Sequence, residues 1–197
     1  MAYSRYDDLA SHYDVAMRPL ERWLIGGLRR RAFSYLPSDG RLLEIGAGTG
    51  VNFAFYPTAL AAVALEPSSE MLKVARQKDE AEALSLVQGC AEHLPFSNSA
   101  FDAALATLVF CSVKEPVAAF SEVRRVVKGG GTLILLEHVR PNGFLGPLFD
   151  LLNLLTTACF EDHFNRRTAS TIESCGLTIT NRETRVFGIF NLIVCRV

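Results

Sequence analysis

The residues of this chain that speak most directly of chemistry are Glu44-Ile45-Gly46-Ala47-Gly48-Thr49-Gly50 and a second carboxylate, Glu66, 22 positions beyond Glu44. Glycines remove Cβ atoms and let a ligand approach the main chain, and free amides at the start of a following helix hold a carboxylate or phosphate. A carboxylate about 20 residues past such a loop can accept hydrogen bonds from both hydroxyls of a ribose. A dinucleotide loop has the spacing Gly-x-Gly-x-x-Gly. Here the third glycine comes one residue early, at Gly50, and Val51 fills the sixth position. The pattern points to a ribose-containing ligand other than NAD.

The remaining chemistry-bearing side chains are sparse. Of the four histidines, His138 ends an apolar run, His12 precedes Tyr13 and Asp14, His93 lies in a polar loop, and His163 follows Asp162 at what reads as a polar helix start. None of these pairs has metal-ligand spacing, so no metal is expected. Cys90, Cys111, Cys159, Cys175 and Cys195 are odd in number and form no Cys-x-x-Cys pair, which suits reduced thiols in a cytoplasmic protein. The first eight residues carry two acids where an export signal would be apolar. The apolar stretches 51–65 and 145–160 are under 18 residues and interrupted by polar residues or proline, so no membrane span is expected. Twenty Lys and Arg against 21 Asp and Glu give a net charge of −1, which argues against nucleic-acid binding through a global basic field.

A chain of 197 residues, 49% apolar, suits one compact domain with its own core. Apolar runs at 41–46, 61–67, 84–89, 101–110 and 131–138 alternate with helical patterns at 68–78 and 116–127. That alternation predicts an α/β fold, a doubly wound parallel sheet with helices on both faces. A helix at 170–175 is stopped by Gly176, and two last runs predict an antiparallel terminal pair. Residues 9–33 read as one helix or two, with Leu20, Leu24, Ile25 and Leu28 on one arc and Arg18, Arg22 and Arg29 on the opposite, solvated arc. The sequence predicts a single domain in which residues 1–36 are an amino-terminal helical segment, 37–139 a ligand-binding half, and 140–197 an insertion with the terminal strands.

Across these elements the chain resembles the class I S-adenosylmethionine-dependent methyltransferases. EIGAGTG resembles that family's first motif, and Glu66-Pro67 with Met71 its ribose-binding acid and the apolar neighbour of the adenine. GCAEHLPF at 89–96 looks like its adenine loop, Phe101-Asp102 like the opening of its fourth strand, and VRRVVKGGGTLILLEH like the helix, turn and fifth strand that follow. The resemblance implies a Rossmann-like, seven-stranded sheet, mostly parallel with an antiparallel carboxy-terminal strand. It implies S-adenosyl-L-methionine as cofactor and S-adenosyl-L-homocysteine as product. The cofactor would be held by Tyr13, Glu44, Gly46, Ala47, Gly48, Glu66, Pro67, Met71, Cys90, Ala91, Glu92, Thr107 and Leu108. Two departures stand out. Cys90 replaces the usual acid that meets the adenine amino group, leaving that contact to the main chain, Glu92 or water, and Gly129-Gly130-Gly131 replaces a Pro-Gly-Gly turn.

LVFCSV at 108–113, LEHV at 136–139 and DHFNR at 162–166 are similar to small methyltransferase-like proteins that include alkyl thiol methyltransferases, and quinone and phospholipid methyltransferases share the layout. The implied partner is a small apolar acceptor. Membrane contact without a span is compatible with this, and oligomeric state is left open. Methyl transfer from a sulfonium is an in-line displacement, so holding the reactants in a dry pocket supplies much of the catalysis. A thiol acceptor is mostly protonated at neutral pH and would gain from a base. His138 is the candidate, with a loop-orienting role as the alternative. Segment 145–160, rich in leucine and without Lys or Arg, suits a wall of the acceptor pocket. The competing class is a non-catalytic S-adenosylmethionine sensor or partner module.

Overall fold

The computed structural model describes residues 14–15, 17–19, 21–138, 168–186 and 188–197. A π-helical turn, Glu21–Ile25, leads into α1 (Gly26–Phe33), β1 (Gly40–Ile45), β2 (Leu60–Glu66), α2 (Ser69–Ala75), β3 (Ser85–Gln88) and β4 (Phe101–Thr107). Then follow α3 (Pro116–Val126), β5 (Val127–His138), α4 (Thr168–Ser174), β6 (Thr178–Arg185) and β7 (Phe190–Arg196). The seven strands make one sheet in the order β3-β2-β1-β4-β5-β7-β6. All neighbours from β3 to β5 are parallel, and β7 runs antiparallel to both β5 and β6. This is the doubly wound, Rossmann-like sheet that the sequence implied.

The central strands are apolar on both faces because helices cover both. Their middles are also small: Ala62 and Ala64 in β2, and Ala103, Ala104 and Ala106 in β4, are all buried. Small side chains there leave room for large ones from the covering layers. Ala62 and Ala103 pack in one cluster with Ile25 and Phe33, from the turn before α1 and from α1 itself. On the other face, Ala104 and Ala106 share a cluster with Phe110, Phe120 and Val123. The Phe110 and Phe120 rings stack with centroids 4.3 Å apart. Each such fully buried ring contributes roughly 1.5–3 kcal/mol, so the two layers fix the sheet that carries the site.

Two local expectations change. The three glycines at 129–131 lie inside β5 as a bulge: Val127 pairs with Phe101, and pairing resumes only at Thr132 with Ala103. The extra backbone lets Gly130 N donate to Val197 O at 2.7 Å and Gly131 O accept from Val197 N at 3.0 Å, which ties down the chain end. The second change is the π-helical turn before α1. Its wider i→i+5 turn rotates every residue after it relative to a regular wheel, and this alters where Arg29 points.

The strand order reverses direction between β1 and β4. An open α/β sheet forms its binding crevice at such a point, beyond the carboxyl ends of the strands. Among the described residues, no helix is long and apolar enough to cross a membrane.

Candidate functional site

As β1 ends, the chain bends over the sheet, and the amides of Gly46 and Ala47 both donate to Leu65 O on β2, at 2.8 and 3.0 Å. The loop is thereby pinned beside the end of β2, where Glu66 stands almost wholly buried. One carboxylate oxygen of Glu66 accepts from Gly48 N and the other from Ser68 N, each at 2.9 Å. Ser68 in turn caps α2 by accepting from Met71 N at 3.1 Å. A carboxylate oxygen can accept two hydrogen bonds, so an amide-anchored Glu66 is fixed in direction while keeping the chemistry to take ribose hydroxyls.

Gly48 supplies the test of whether a nucleoside-bearing cofactor fits. It adopts the left-handed conformation, φ +57°, and a Cβ built on it would meet no atom within 4 Å. The space beside it is a cavity of about 860 Å³, open solvent at its mouth included. Open space against a bare backbone, with an anchored carboxylate alongside, fits S-adenosylmethionine.

Of the sequence-derived cofactor residues, Gly46, Ala47, Gly48, Glu66, Pro67, Met71, Ala91, Glu92, Thr107 and Leu108 line this cavity. Three do not appear among its described walls. Tyr13 lies outside the described residues. Cys90 is half-buried and is not among the described lining residues, although its neighbours Gly89 and Ala91 are. Glu44 lies 1% exposed behind the wall, where it takes hydrogen bonds from Asn52 Nδ2 and Tyr56 OH. Burial pushes the Glu44 carboxyl up to about 7, against the lowering effects of the Asn52 donor and the Arg29 charge, while the nearby Glu66 charge adds to the rise.

Arg29 and Asn52 also line the cavity, and the sequence reading missed both. The Arg29 guanidinium donates to Asn52 Oδ1 at 2.9 Å and Thr107 Oγ1 at 2.6 Å, and pairs with Glu21 at 2.7 Å. Asn52 Nδ2 reaches Thr107 Oγ1 as well, at 2.9 Å. A regular wheel had put Arg29 on a solvated arc. The π-helical turn rotates it inward, whereas Arg18 and Arg22 are exposed as expected. Arg29 stands four residues after Ile25 and three and four before Ala32 and Phe33, all buried, and that apolar stripe at helical spacing is the signal that marks it apart from those two.

The amino-terminal segment reaches the same loop. Asp14 accepts from Thr49 Oγ1 at 2.5 Å and pairs with Lys78 at 3.1 Å. Across the cavity, Glu92 directs its carboxylate to the start of α3, accepting from Lys114 N at 3.0 Å and Glu115 N at 3.4 Å. His93 is exposed. His138 sits half-buried at the carboxyl end of β5, paired in register with Phe190, and is not among the described residues that line the cavity. Segment 145–160 and the Asp162-His163 pair lie outside the described residues.

Comparison with known proteins gives a consistent picture. A family model described as a methyltransferase domain matches residues 43–135. The chain is 32% identical over 139 residues to a phosphatidylethanolamine N-methyltransferase of Cereibacter sphaeroides, covering 64% of this chain and 68% of that protein. It is 35% identical to a demethylmenaquinone methyltransferase of Renibacterium salmoninarum, over 69% of this chain and 58% of that one. It is 38% identical to a thiol S-methyltransferase of Rattus norvegicus, over 52% of this chain and 44% of the other. The chain thus spans between under half and about two thirds of these relatives. Among solved structures, a methyltransferase of Thermotoga maritima described as a possible histamine N-methyltransferase superposes with a TM-score of 0.76 at 23% identity, covering 100% of this chain and 99% of that one.

Proposed function

Because the chain belongs to the class I S-adenosylmethionine-dependent methyltransferases, we propose that it transfers the cofactor's methyl group to a small apolar acceptor: a thiol, a quinol or phenol, or a lipid headgroup. One observation carries this reading. The side-chain-free Gly48 faces the cavity next to a Glu66 carboxylate that its own amide and that of Ser68 hold in place. When bound, the cofactor supplies an electrophilic methyl on a sulfonium.

The chain's residues then do three things. Glu66 holds the ribose, with Met71 and Ala91, both buried, as apolar neighbours of the adenine. Asn52 and Thr107, braced from behind by Glu44, would present a polar wall to the methionine end of the cofactor. The end of β4 offers Leu108, Val109 and Val113 to the acceptor. That wall is apolar, and the one basic side chain among the described lining residues, Arg29, is already engaged by Glu21, Asn52 and Thr107. An apolar nucleophile suits such a wall, since an unpaired charge there would lose its hydration. The relatives named as a thiol S-methyltransferase and a demethylmenaquinone methyltransferase support an apolar acceptor, and the one named as a phosphatidylethanolamine N-methyltransferase supports the lipid-headgroup alternative.

His138 is our candidate for the base, taking the acceptor's proton directly or through one water. The test is formation of S-adenosylhomocysteine with hexanethiol, 2-methyl-1,4-naphthoquinol and micellar phosphatidylethanolamine. Transfer to at least one acceptor, with turnover lowered in His138→Ala and cofactor affinity unchanged, is expected. No transfer to any of them would overturn the acceptor class, and undiminished His138→Ala turnover across pH 6 to 9 would remove the base.

A further inference from the structure

A third buried carboxylate, one the methyl-transfer reading does not use, organises the other side of the cavity. Glu137, on β5, is 1% exposed, and one of its oxygens accepts from both Val109 N and Phe110 N, each at 3.1 Å. These amides converge because β4 ends abruptly. Leu108 N still donates to Leu136 O at 2.7 Å, in step with the pairing of Thr107 and Leu136. The Leu108 backbone then turns left-handed, φ +60°, a conformation that a leucine adopts only when its surroundings impose it. The next two amides swing off the sheet and onto the Glu137 carboxylate.

The held loop both lines the cavity and packs on the glycine loop. Leu108, Val109, Ser112 and Val113 line the cavity. The Val109 side chain also lies against Gly46 of the glycine loop so closely that a Cβ on that glycine would come within 2.5 Å of a Val109 methyl. At its far end the loop is held again, by Glu92 at Lys114 N and Glu115 N. Two carboxylates from other elements therefore brace the loop beyond Leu108, which also closes a turn of its own as Ser112 N donates to Val109 O at 2.9 Å.

We propose that Glu137 is a positioning residue that sets where the acceptor lies relative to the cofactor's methyl, by holding Leu108 in its left-handed turn and Val109 against Gly46. The proposal rests on the methyl-transfer reading. It assigns Glu137 no contact with substrate. In-line displacement is sensitive to placement, and a shift of about 1 Å can cost on the order of a hundredfold in rate. Releasing the two amides is expected to act on the acceptor side, because the ribose anchor at Glu66 and Gly48 is built from different residues.

The experiment compares Glu137→Ala and Glu137→Gln with the native protein, using hexanethiol, 2-methyl-1,4-naphthoquinol or micellar phosphatidylethanolamine, whichever turns over fastest. Glu137→Ala is expected to lower kcat/KM for the acceptor at least tenfold while the Kd for S-adenosylhomocysteine stays within threefold. Glu137→Gln, whose amide oxygen can accept from the same two donors, is expected to recover most of that loss. Hydrogen exchange at Val109 and Phe110 provides a readout free of turnover. It should speed up at least tenfold in Glu137→Gln, where the acceptor oxygen is no longer charged, with exchange across Gly46 to Thr49 unchanged. Should Glu137→Ala fail to fold, the exchange result for Glu137→Gln decides alone. An alanine variant with acceptor kcat/KM within threefold of native, or unchanged exchange at both amides, would overturn the proposal. If the native protein transfers no methyl, that reading falls and exchange still judges the clamp.

Discussion

The two walls of the cavity are built on the same device, main-chain amides gathered on a side-chain carboxylate, yet they differ in what those amides face. On the β1–β2 side, Glu66 gathers the amides of Gly48 and Ser68, and Gly48 opens onto the cavity itself. On the β4–β5 side, Glu137 and Glu92 gather the amides of Val109, Phe110, Lys114 and Glu115, none of which is a glycine. A ligand that approaches the main chain demands a residue without a Cβ. A protein carboxylate that does the same job from behind demands nothing of the residue whose amide it takes. The first wall therefore carries a compositional mark, and the second carries none.

Arg29 joins the walls, and its removal is expected to have the largest effect. It bonds Asn52 after the glycine loop and Thr107 at the end of β4, with Glu21 closing the pair. Breaking a buried pair by deleting one partner costs about 3–5 kcal/mol, because the other charge and its polar neighbours are left without compensation. Arg29→Ala should lower the melting temperature by on the order of 10 °C for a chain of this size. Arg22→Ala, at an exposed position of the preceding turn, should shift it by about 1 °C or less. Equal shifts in the two variants would mean that Arg29 does not bridge the walls.

The next effect belongs to the first wall alone and depends on pH. The folded protein holds the Glu44 proton up to about 7, above the ordinary value of 4.5. Between those values the folded state binds more protons than the unfolded chain, so this group's contribution to stability is lost as pH rises through the window and is constant above it. The loss is on the order of 3 kcal/mol. Glu44→Gln, which cannot ionise, should be more stable than the native protein by roughly that amount at pH 8 and about equally stable at pH 4.5. Urea unfolding at both values measures it. Parallel stability profiles would show that Glu44 is not held protonated by burial.

The smallest effect on folding and the sharpest on binding is expected at Gly48. Alanine there meets no neighbour but must adopt φ +57°, at a cost of about 1–2 kcal/mol. A fall of a few degrees in melting temperature should accompany at least a tenfold loss of S-adenosylhomocysteine affinity, since the added methyl enters the ligand's space. Unchanged affinity would reduce Gly48 to a turn residue and erase the contrast between the walls.

Much of the fold was legible because its signals are local and repeated. Apolar runs bounded by turns predicted β1, β2, β4 and the start of α3 to within a few residues, and the last two runs predicted β6 and β7 as an antiparallel pair. What escaped depends on phase or on distance. Arg29 turned inward because five residues of π-helix precede it, and a wheel drawn at a constant angle through that turn cannot register the change, whereas the apolar stripe of Ile25, Ala32 and Phe33 does. The 129–131 glycines form a bulge instead of a turn because their backbone meets Val197, a partner from the far end of the chain. At the site, the glycine loop and Glu66 stood out by residue type and spacing. Asn52, Glu137 and the left-handed turn at Leu108, a residue the resemblance had named, did not, since each takes its role from neighbours that only the folded sheet brings together.

Calorimetric titration of S-adenosylhomocysteine into the native protein and into folded Glu66→Ala tests most directly whether Glu66 anchors the cofactor's ribose. Hydrogen bonds to a charged group contribute about 1.5–3 kcal/mol each in net terms, and the substitution also frees the amides of Gly48 and Ser68. The expected result is tight binding by the native protein and affinity at least tenfold weaker in the variant. Equal affinities in two folded proteins would contradict the assignment, and the cavity would then have to hold its cofactor by another wall.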